Sequence, residues 1–517
     1  MPRVLPPDVD TELATLVFGE RTCSAGDLDS AARHVAGGLS SLGICEDDAV
    51  AVILRNDIPY FIIHEASHYL GFDVVPVNWH LKPAEISFIL ADCQAKAVIV
   101  HSDLLTRELA VVIGRVPVIV VTTPDEITEC YNVTDGAGDL EPGFLDWSRW
   151  VEESPRCTAS NKKFRPPLFY TSGSSGRPKA VLRKDVTPDI VARISERTTY
   201  AWGFEQTPLR SVMAGPLYHS APNGYANMVL QSGGILVLAA RFNAEGLLSL
   251  IERHKITHLH LVPTMFVRLL DLPDDIRGAY RLDSLVHVTH GAAPCPADVK
   301  RSMINWWGSV IYEYYAMTET GIITCCSSAE WLERPSTVGR PAPGVEIEIR
   351  GVEGNRRNAF EEGLICVKHE GSHCISYRNA DSGSAGLQQN GFLVTGDIGY
   401  LDDEGYLYIS SRQSDMVICG GVNIYPAEIE EVLIAMDDVI DCVVFGIPDA
   451  EFGEKLVAVI QKRGMLNGDA AAAHLKTRIA DFKVPRVYEF VDRLPREDSG
   501  KIKKQLIRED YLQKYGY

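Results

Sequence analysis

Positive charge is scarce in this chain. Its 517 residues hold 50 Lys and Arg against 69 Asp and Glu, a formal net charge of −19 at pH 7. Such a chain repels nucleic-acid phosphates and anionic membranes, so sequence-independent binding to either is disfavoured. An acidic substrate would need a local basic site. No apolar run is long enough to span a bilayer, and Met1-Pro-Arg-Val-Leu-Pro-Pro7 lacks the apolar stretch of a secretion signal. The twelve cysteines are scattered: Cys325 and Cys326 are adjacent, Cys366 and Cys374 lie eight apart, and no C-x-x-C pair occurs. Neither a zinc site nor a disulfide framework is suggested, which points to reduced thiols in a cytoplasm. Internal repeats and long low-complexity segments are missing too. What remains is ordinary, 46% hydrophobic and 23% charged residues, and long enough for two or more domains with large cores.

Leu28, Ala32, Val35, Leu39 and Leu42 recur at helical spacing, and Gly43 ends the run. Val50–Leu54 reads as a buried strand. Helix Ile62–Leu70, strand Val74–Val77, helix Pro83–Ala91 and strands Lys96–His101 and Val116–Val121 follow. Residues Asp125 to Asn161 are polar and read as a surface excursion. The alternation resumes with strand Ile235–Ala239, helix Leu247–His254 and strands Thr257–Val262 and Leu285–Thr289. Strands alternating with helices predict parallel sheets, so the fold class is α/β with two doubly wound subdomains. Short strands with Gly and Pro turns from Thr337 to Ser410 predict a small β-rich subdomain. Beyond it, helix Ala427–Met436, strands Val439–Phe445 and Leu456–Gln461, helix Ala470–Asp481 and strand Val487–Val491 predict an α+β domain. The expected division is 1–411 and 412–517.

Four segments carry chemistry. The first is Tyr170-Thr-Ser-Gly-Ser-Ser-Gly-Arg-Pro-Lys-Ala-Val181. Gly173 and Gly176 let backbone N–H groups approach an anion; Thr171, Ser172, Ser174 and Ser175 add hydroxyls, and Arg177 and Lys179 add charge. This suits a polyphosphate, yet it is not the common P-loop, because only two residues separate the glycines and Ala180 follows Lys179. The second is Tyr312-Glu-Tyr-Tyr-Ala-Met-Thr-Glu-Thr-Gly321, where a Tyr face suits purine stacking, Thr318 a phosphate and Glu319 a hard cation such as Mg²⁺. The third joins Thr395-Gly-Asp-Ile-Gly399 to Ser411-Arg-Gln-Ser-Asp-Met416. Asp397 suits ribose hydroxyls, and Arg412 a phosphate or ribose edge. The fourth, Pro495-Arg-Glu-Asp-Ser-Gly-Lys-Ile-Lys-Lys504, presents Lys501 just after a glycine.

In order and content these segments resemble the adenylate-forming superfamily of acyl- and aryl-CoA synthetases, peptide-synthetase adenylation domains and luciferases. The resemblance runs from about Leu28 to Lys504. Leu217-Tyr-His-Ser-Ala-Pro-Asn-Gly224 and Gly420-Gly-Val-Asn-Ile-Tyr-Pro426 resemble the acyl-CoA synthetase branch. It implies that a carboxylate attacks the α-phosphate of Mg-ATP to give acyl-AMP, and that the thiol of coenzyme A then displaces AMP. By that resemblance Thr171, Ser172, Gly173, Ser174, Ser175, Gly176 and Lys179 hold the β- and γ-phosphates. Tyr315 stacks on adenine beside Gly291, Ala292 and Ala293, Thr318 meets the α-phosphate, and Glu319 binds the Mg²⁺. Asp397 and Arg412 hold the ribose. Lys501 serves the first step; a mobile C-terminal domain then rotates about Ser414 and brings Gly420 and Gly421 to the pantetheine tunnel. His219 flanks the acyl pocket and gates it. Phe452, Phe482, Lys483 and Arg486 stand where coenzyme A is often contacted.

Three glycines of the common pattern are replaced, by Ala180, Ala316 and Ser411. Each adds side-chain atoms near the nucleotide and disfavours a positive φ. Two alternatives therefore stay open beside a complete ligase: a thioester-forming ligase using acyl-AMP from a partner adenylating enzyme, and a stand-alone enzyme loading a carrier protein. A nucleotide-binding scaffold is disfavoured by the presence of Lys179, Glu319, Asp397, Arg412 and Lys501. A homodimer is left open. His254, His258, His260, His287 and His290 read as core or pocket residues rather than ligands, since no carboxylate or thiol joins them at ligand spacing. Small residues at Ala221, Gly224, Ala226 and Gly291–Ala293 leave room for a bulky or long apolar acid, whether fatty, aryl or polycyclic. Replacing Lys501 with alanine is expected to slow adenylation by roughly 10²–10³ while thioester formation from preformed acyl-AMP is largely spared; equal loss in both half-reactions refutes that role.

Overall fold

Ala49–Ile53 is buried at all of its positions, as a strand covered on both faces must be. The computed structural model describes residues 15–134, 143–159, 165–172, 178–183, 187–206, 208–351, 353–370, 375–378, 391–412, 415, 417–419, 422–424, 426–449, 453–496 and 502–516. Within strands and helices, only the backbone is described at residues 171, 172, 178, 183, 375–377, 411, 412, 418, 422, 423, 453 and 482. The chain forms two units. One comprises Met1–Leu261, Leu272–Thr289 and Cys374–Ala385, and the other Val262–Asp271, His290–His373 and Gly386–Tyr517.

The first unit is α/β. Asp73–Pro76, Ala49–Ile53, Ala95–His101, Val118–Val121 and Leu145–Asp146 lie in that order as a parallel sheet. Ile86, Ile89 and Leu90 of the helix Pro83–Cys93 pack on one face with Ile53, Val98, Val100 and Val120. A second sheet runs through His258–Leu261, Arg210–Met213, Ile235–Leu238 and Thr15–Phe18, all parallel, and ends on the antiparallel strand Arg21–Ser24. Helix Ala25–Ser41 begins at a capping box, with Ser24 accepting from the Asp27 N–H and the Asp27 carboxylate accepting from the Ser24 N–H.

The expected surface excursion from Asp125 to Asn161 is instead partly ordered core. It contains helices Asp125–Tyr131 and Trp147–Glu153 and the strand Leu145–Asp146, which extends the first sheet. Ile127 is fully buried and Trp147 nearly so. The Cβ of any residue but glycine at position 37 would stand 1.8 Å from the Pro155 carbonyl oxygen, so Gly37 is what lets this segment lie against helix Ala25–Ser41. A single buried residue in each seven-residue helix is too weak a periodicity to read from sequence.

In the second unit an antiparallel sheet runs Val345–Arg350, Gly363–His369, Leu393–Leu401, Leu407–Arg412, Thr337–Pro341, Gly321–Cys326, Ile311–Met317. The β-rich region therefore begins before Thr337, because the tyrosine-bearing segment is itself a hairpin. The small C-terminal domain has a sheet with helices on both sides. Ala458 and Ile460 of the strand Gly453–Lys462 pack with Ile429 and Leu475 of helices Pro426–Ile434 and Gly468–Lys476. Val457 and Val459 face Ile507 and Tyr511 of Lys504–Tyr515. The alternation of strand side chains sorts the two cores. A large N-terminal domain with parallel sheets and a separate small C-terminal domain is the expected α/β class.

An ion pair lies inside the second unit. Lys300 is fully buried on helix Ala297–Trp307, donates to Glu313 Oε2 at 2.5 Å, and sits 4.9 Å from the ring centroid of Trp331. Burial pushes the Glu313 carboxyl up, and Lys300 pulls it back. Removing one partner leaves an uncompensated buried charge. Lys300→Met is expected to cost about 3–5 kcal/mol, and adding Glu313→Leu to recover most of it. Urea titration decides, and a double variant no more stable than the single one refutes the account.

Candidate nucleotide and acid site

Ile311–Met317 and Gly321–Cys326 form a hairpin in which Met317 pairs with Gly321. Thr318, Glu319 and Thr320 make the turn, and Gly321 takes φ 69°, where glycine carries no steric penalty. Thr318 and Glu319 are half-buried in that turn. Tyr315 pairs with Thr324, and the register shifts between Tyr315 and Ala316. The Tyr315 hydroxyl donates to Asp397 Oδ2. Asp397 is 6% exposed, and its own N–H donates to Thr395 Oγ1 at 3.0 Å. Thr395 Oγ1 donates in turn to the Ile365 carbonyl at 3.0 Å. Across the sheet Asp397 lies opposite Arg412. Pairing thus gathers an aromatic ring, a carboxylate and the backbone of an arginine from widely separated segments.

The Gly291-Ala-Ala-Pro loop is bound to the same strand by lack of space. A Cβ at position 291 would meet the Tyr314 carbonyl oxygen at 2.7 Å and its ring at 2.8 Å. Ala292 takes φ 68°, a left-handed conformation that costs a side-chain-bearing residue about 1–2 kcal/mol. Strain of that kind concentrates at ligand clamps.

In the first unit Tyr170–Ser172 pairs with Pro178–Arg183, setting Thr171 opposite Lys179 and Tyr170 opposite Ala180. Lys179 is half-buried. Gly173, Ser174, Ser175, Gly176 and Arg177 lie outside the described residues. The Tyr170 hydroxyl donates to Asp92 at 2.6 Å, tying the hairpin to helix Pro83–Cys93. Ala180 is fully buried and packs in the core with Leu168 and Val100. Neither Ala180 nor Ala316 takes a positive φ, and Ser411 is a paired strand residue opposite Ile398. All three stand in strand geometry that any residue adopts.

His219 occupies the N-cap position of helix Ser220–Gln231, with its ring 4.5 Å from the ring of buried Tyr218. Trp79 and His80 stand edge-on to Tyr218 at 6.5 and 6.4 Å. A Cβ on Gly224 would come no nearer than 3.7 Å to Trp202, an ordinary contact, so the helix leaves room there. Trp202 packs against Phe204, Tyr225 and His260. The histidines behind it are neutral: burial pushes His287 down to about 3 and His260 down to about 4. His258 Nε2 lies 3.0 Å from the Gly203 carbonyl and His287 Nε2 3.2 Å from that of Ala201.

Lys501, Gly420, Gly421, Ser414 and Phe452 lie outside the described residues. Lys483 donates to both Glu428 oxygens at 2.8 and 2.7 Å. The Arg486 N–H donates to the Leu456 carbonyl at 3.2 Å. Sequence reasoning missed Thr395 as a support for Asp397; a hydroxyl two residues before the carboxylate was its local signal.

Comparison with known proteins decides the family. Residues 9–373 match the model of the AMP-binding enzymes, and residues 428–501 that of the AMP-binding enzyme C-terminal domain. The chain belongs to the AMP-binding enzyme family. It is similar to the 3-[(3aS,4S,7aS)-7a-methyl-1,5-dioxo-octahydro-1H-inden-4-yl]propanoyl:CoA ligase of Rhodococcus jostii, at 31% identity over 96% of each chain. It is likewise similar to a feruloyl-CoA synthase of an Amycolatopsis species, at 31% identity over 95% of this chain and 94% of that one. The o-succinylbenzoate coenzyme A synthetase of Bacillus subtilis, solved with ATP and magnesium, superposes with a TM-score of 0.79 at 26% identity, covering 95% and 96% of the two chains.

This AMP-binding enzyme is thus an AMP-forming acid–thiol ligase using ATP, Mg²⁺ and coenzyme A. Among the described residues no group of three His, Cys, Asp or Glu could hold a metal by itself. One carboxylate, Glu319, fits an ion that arrives with the nucleotide's phosphates, since Mg²⁺ takes few protein ligands. Tyr315→Phe keeps the ring and removes the bond to Asp397. It is expected to raise KM for ATP by roughly 10- to 150-fold, the worth of one hydrogen bond to a charged group, and leave KM for the acid alone; an unchanged KM for ATP refutes the coupling.

Proposed function

We propose that this ligase carries out both half-reactions on a bulky or long apolar carboxylic acid. A carboxylate oxygen attacks the α-phosphorus, pyrophosphate leaves, and the acyl-AMP remains bound. The sulfur of coenzyme A then attacks the acyl carbonyl, AMP leaves, and the thiol proton is lost to solvent. The observation that carries the reading is the joining of Tyr315 to Asp397, with Arg412 directly opposite on the neighbouring strand. That combination suits a purine ring and ribose hydroxyls.

Roles follow for the other residues. Thr171 to Lys179 hold the β- and γ-phosphates, Gly291, Ala292 and Ala293 line the adenine, and Thr318 and Glu319 take the α-phosphate and the Mg²⁺. Lys501 neutralises charge in the first step. In the second, a domain of residues 412–517 turns on Ser414 against residues 1–411 and brings Gly420 and Gly421 to the pantetheine arm. One site rebuilt by moving a small domain serves two chemistries with opposite needs. The strand geometry of Ala180, Ala316 and Ser411 supports an intact first step. Room at Gly224 beneath Trp202, and relatives named for a bicyclic propanoate and for ferulate, support a ring-bearing apolar acid. The eleven cysteines among the described residues are free thiols, which supports a reducing cytoplasm.

The test is a paired assay over a panel of apolar acids. One arm follows acid-dependent ATP–pyrophosphate exchange, and the other follows acyl-CoA formed from synthetic acyl-AMP. Activity in both arms is expected. Activity only in the second means that a partner enzyme supplies the adenylate, and exchange without coenzyme A transfer means a carrier-loading enzyme.

A further inference from the structure

The segment that carries Tyr218 and His219 begins where the strand Arg210–Met213 has ended, so its buried peptide groups have no ladder to join. Asn56 supplies the partners. It is 4% exposed and lies just beyond the end of strand Ala49–Ile53. Its Nδ2 donates to the Gly215 carbonyl at 3.0 Å and to the Ala239 carbonyl at 3.1 Å, while its Oδ1 accepts from the Leu217 N–H at 3.0 Å. Both amide hydrogens and the oxygen are thereby used. The other half of Leu217 is held by Asn223, 1% exposed, whose Nδ2 donates to the Leu217 carbonyl at 2.9 Å. Asn227 in turn donates to Asn223 Oδ1 at 3.0 Å. The turn closes with the His219 N–H donating to Pro216 and the Asn223 N–H donating to His219, both at 3.1 Å.

We infer that Asn56 and Asn223 are positioning residues for the acid pocket: together they clamp the Leu217 peptide groups and so hold the Tyr218–His219 backbone in place. The inference rests on the proposed pocket role of His219. Asn56 further ties this segment to the ends of two strands, Ala49–Ile53 and Ile235–Leu238, so the pocket wall is registered against both parallel sheets of its unit. A buried amide satisfied at every position specifies one arrangement, because each alternative strands a polar group.

The test uses the isosteric variants Asn56→Asp and Asn223→Asp, each of which puts a carboxylate oxygen where a donor met a carbonyl. Hydrogen exchange on the full chain is expected to rise by roughly 10-fold or more in peptides covering 214–224, the loss of one buried hydrogen bond. Peptides covering 49–53 and 311–326 should be unchanged. In the paired assay KM for the acid is expected to rise about 10-fold with KM for ATP within about twofold. Unchanged exchange at 214–224 in both variants overturns the clamp, as does an equal rise in KM for acid and ATP. A wild-type protein inactive with every acid would defeat the proposed function, while the exchange data would still decide the clamp.

Discussion

The hydrogen bond from Tyr315 to Asp397 is the contact on which the proposed nucleotide site depends. It joins two strands whose partners lie at different places in one antiparallel sheet. Three strands of that sheet separate them, and the register sets Asp397 opposite Arg412 and Tyr315 opposite Thr324. A buried carboxylate is costly without donors. Here a phenol supplies one, while Thr395 fixes the backbone beneath it. The same bond orients the tyrosine ring, so the proposed stacking surface and the proposed ribose reader are set together. The loop beside them is pressed onto Tyr314 so closely that only glycine fits at 291.

The proposed acid pocket follows another rule. Parallel strands end together, and the chain leaving them must satisfy buried peptide groups without a ladder. Asn56 does this for three carbonyl or amide groups. Its neighbour Arg55 donates to Asp103 at 2.7 and 3.0 Å and lies 4.0 Å from the ring centroids of both Trp79 and Tyr131. Trp79 in turn packs toward Tyr218. Polar and aromatic side chains at the strand ends thus make a fixed wall, which is where open α/β sheets place their ligands. The neutral, buried histidines belong to that wall as hydrogen-bonding and stacking groups.

The three replaced glycines show how local context changes the meaning of a substitution. Read alone, Ala180 crowds a phosphate loop. In the hairpin it faces inward, and its methyl joins the core with Leu168. Ala316 follows a register shift that turns the strand without demanding a positive φ. The one strained alanine in the region is Ala292, which no departure from a motif had marked.

The α/β class, the small terminal domain and the family were legible in the sequence, because they rest on local alternation and on motifs whose residues are contiguous. Most strands of the first unit fall within a residue or two of their apolar runs. The segment after Asp125 was not legible, since its helices each bury one residue and pack where distant Gly37 makes space rather than by their own periodicity. Nor was the pairing of Tyr315 with Asp397, 82 residues apart, or of Asn56 with Leu217, 161 apart. Those contacts depend on sheet register and on where parallel strands stop. Register and strand ends are settled by the packing of whole elements, so the identity of the chemical groups was written in the chain, while their meeting was decided by the tertiary fold.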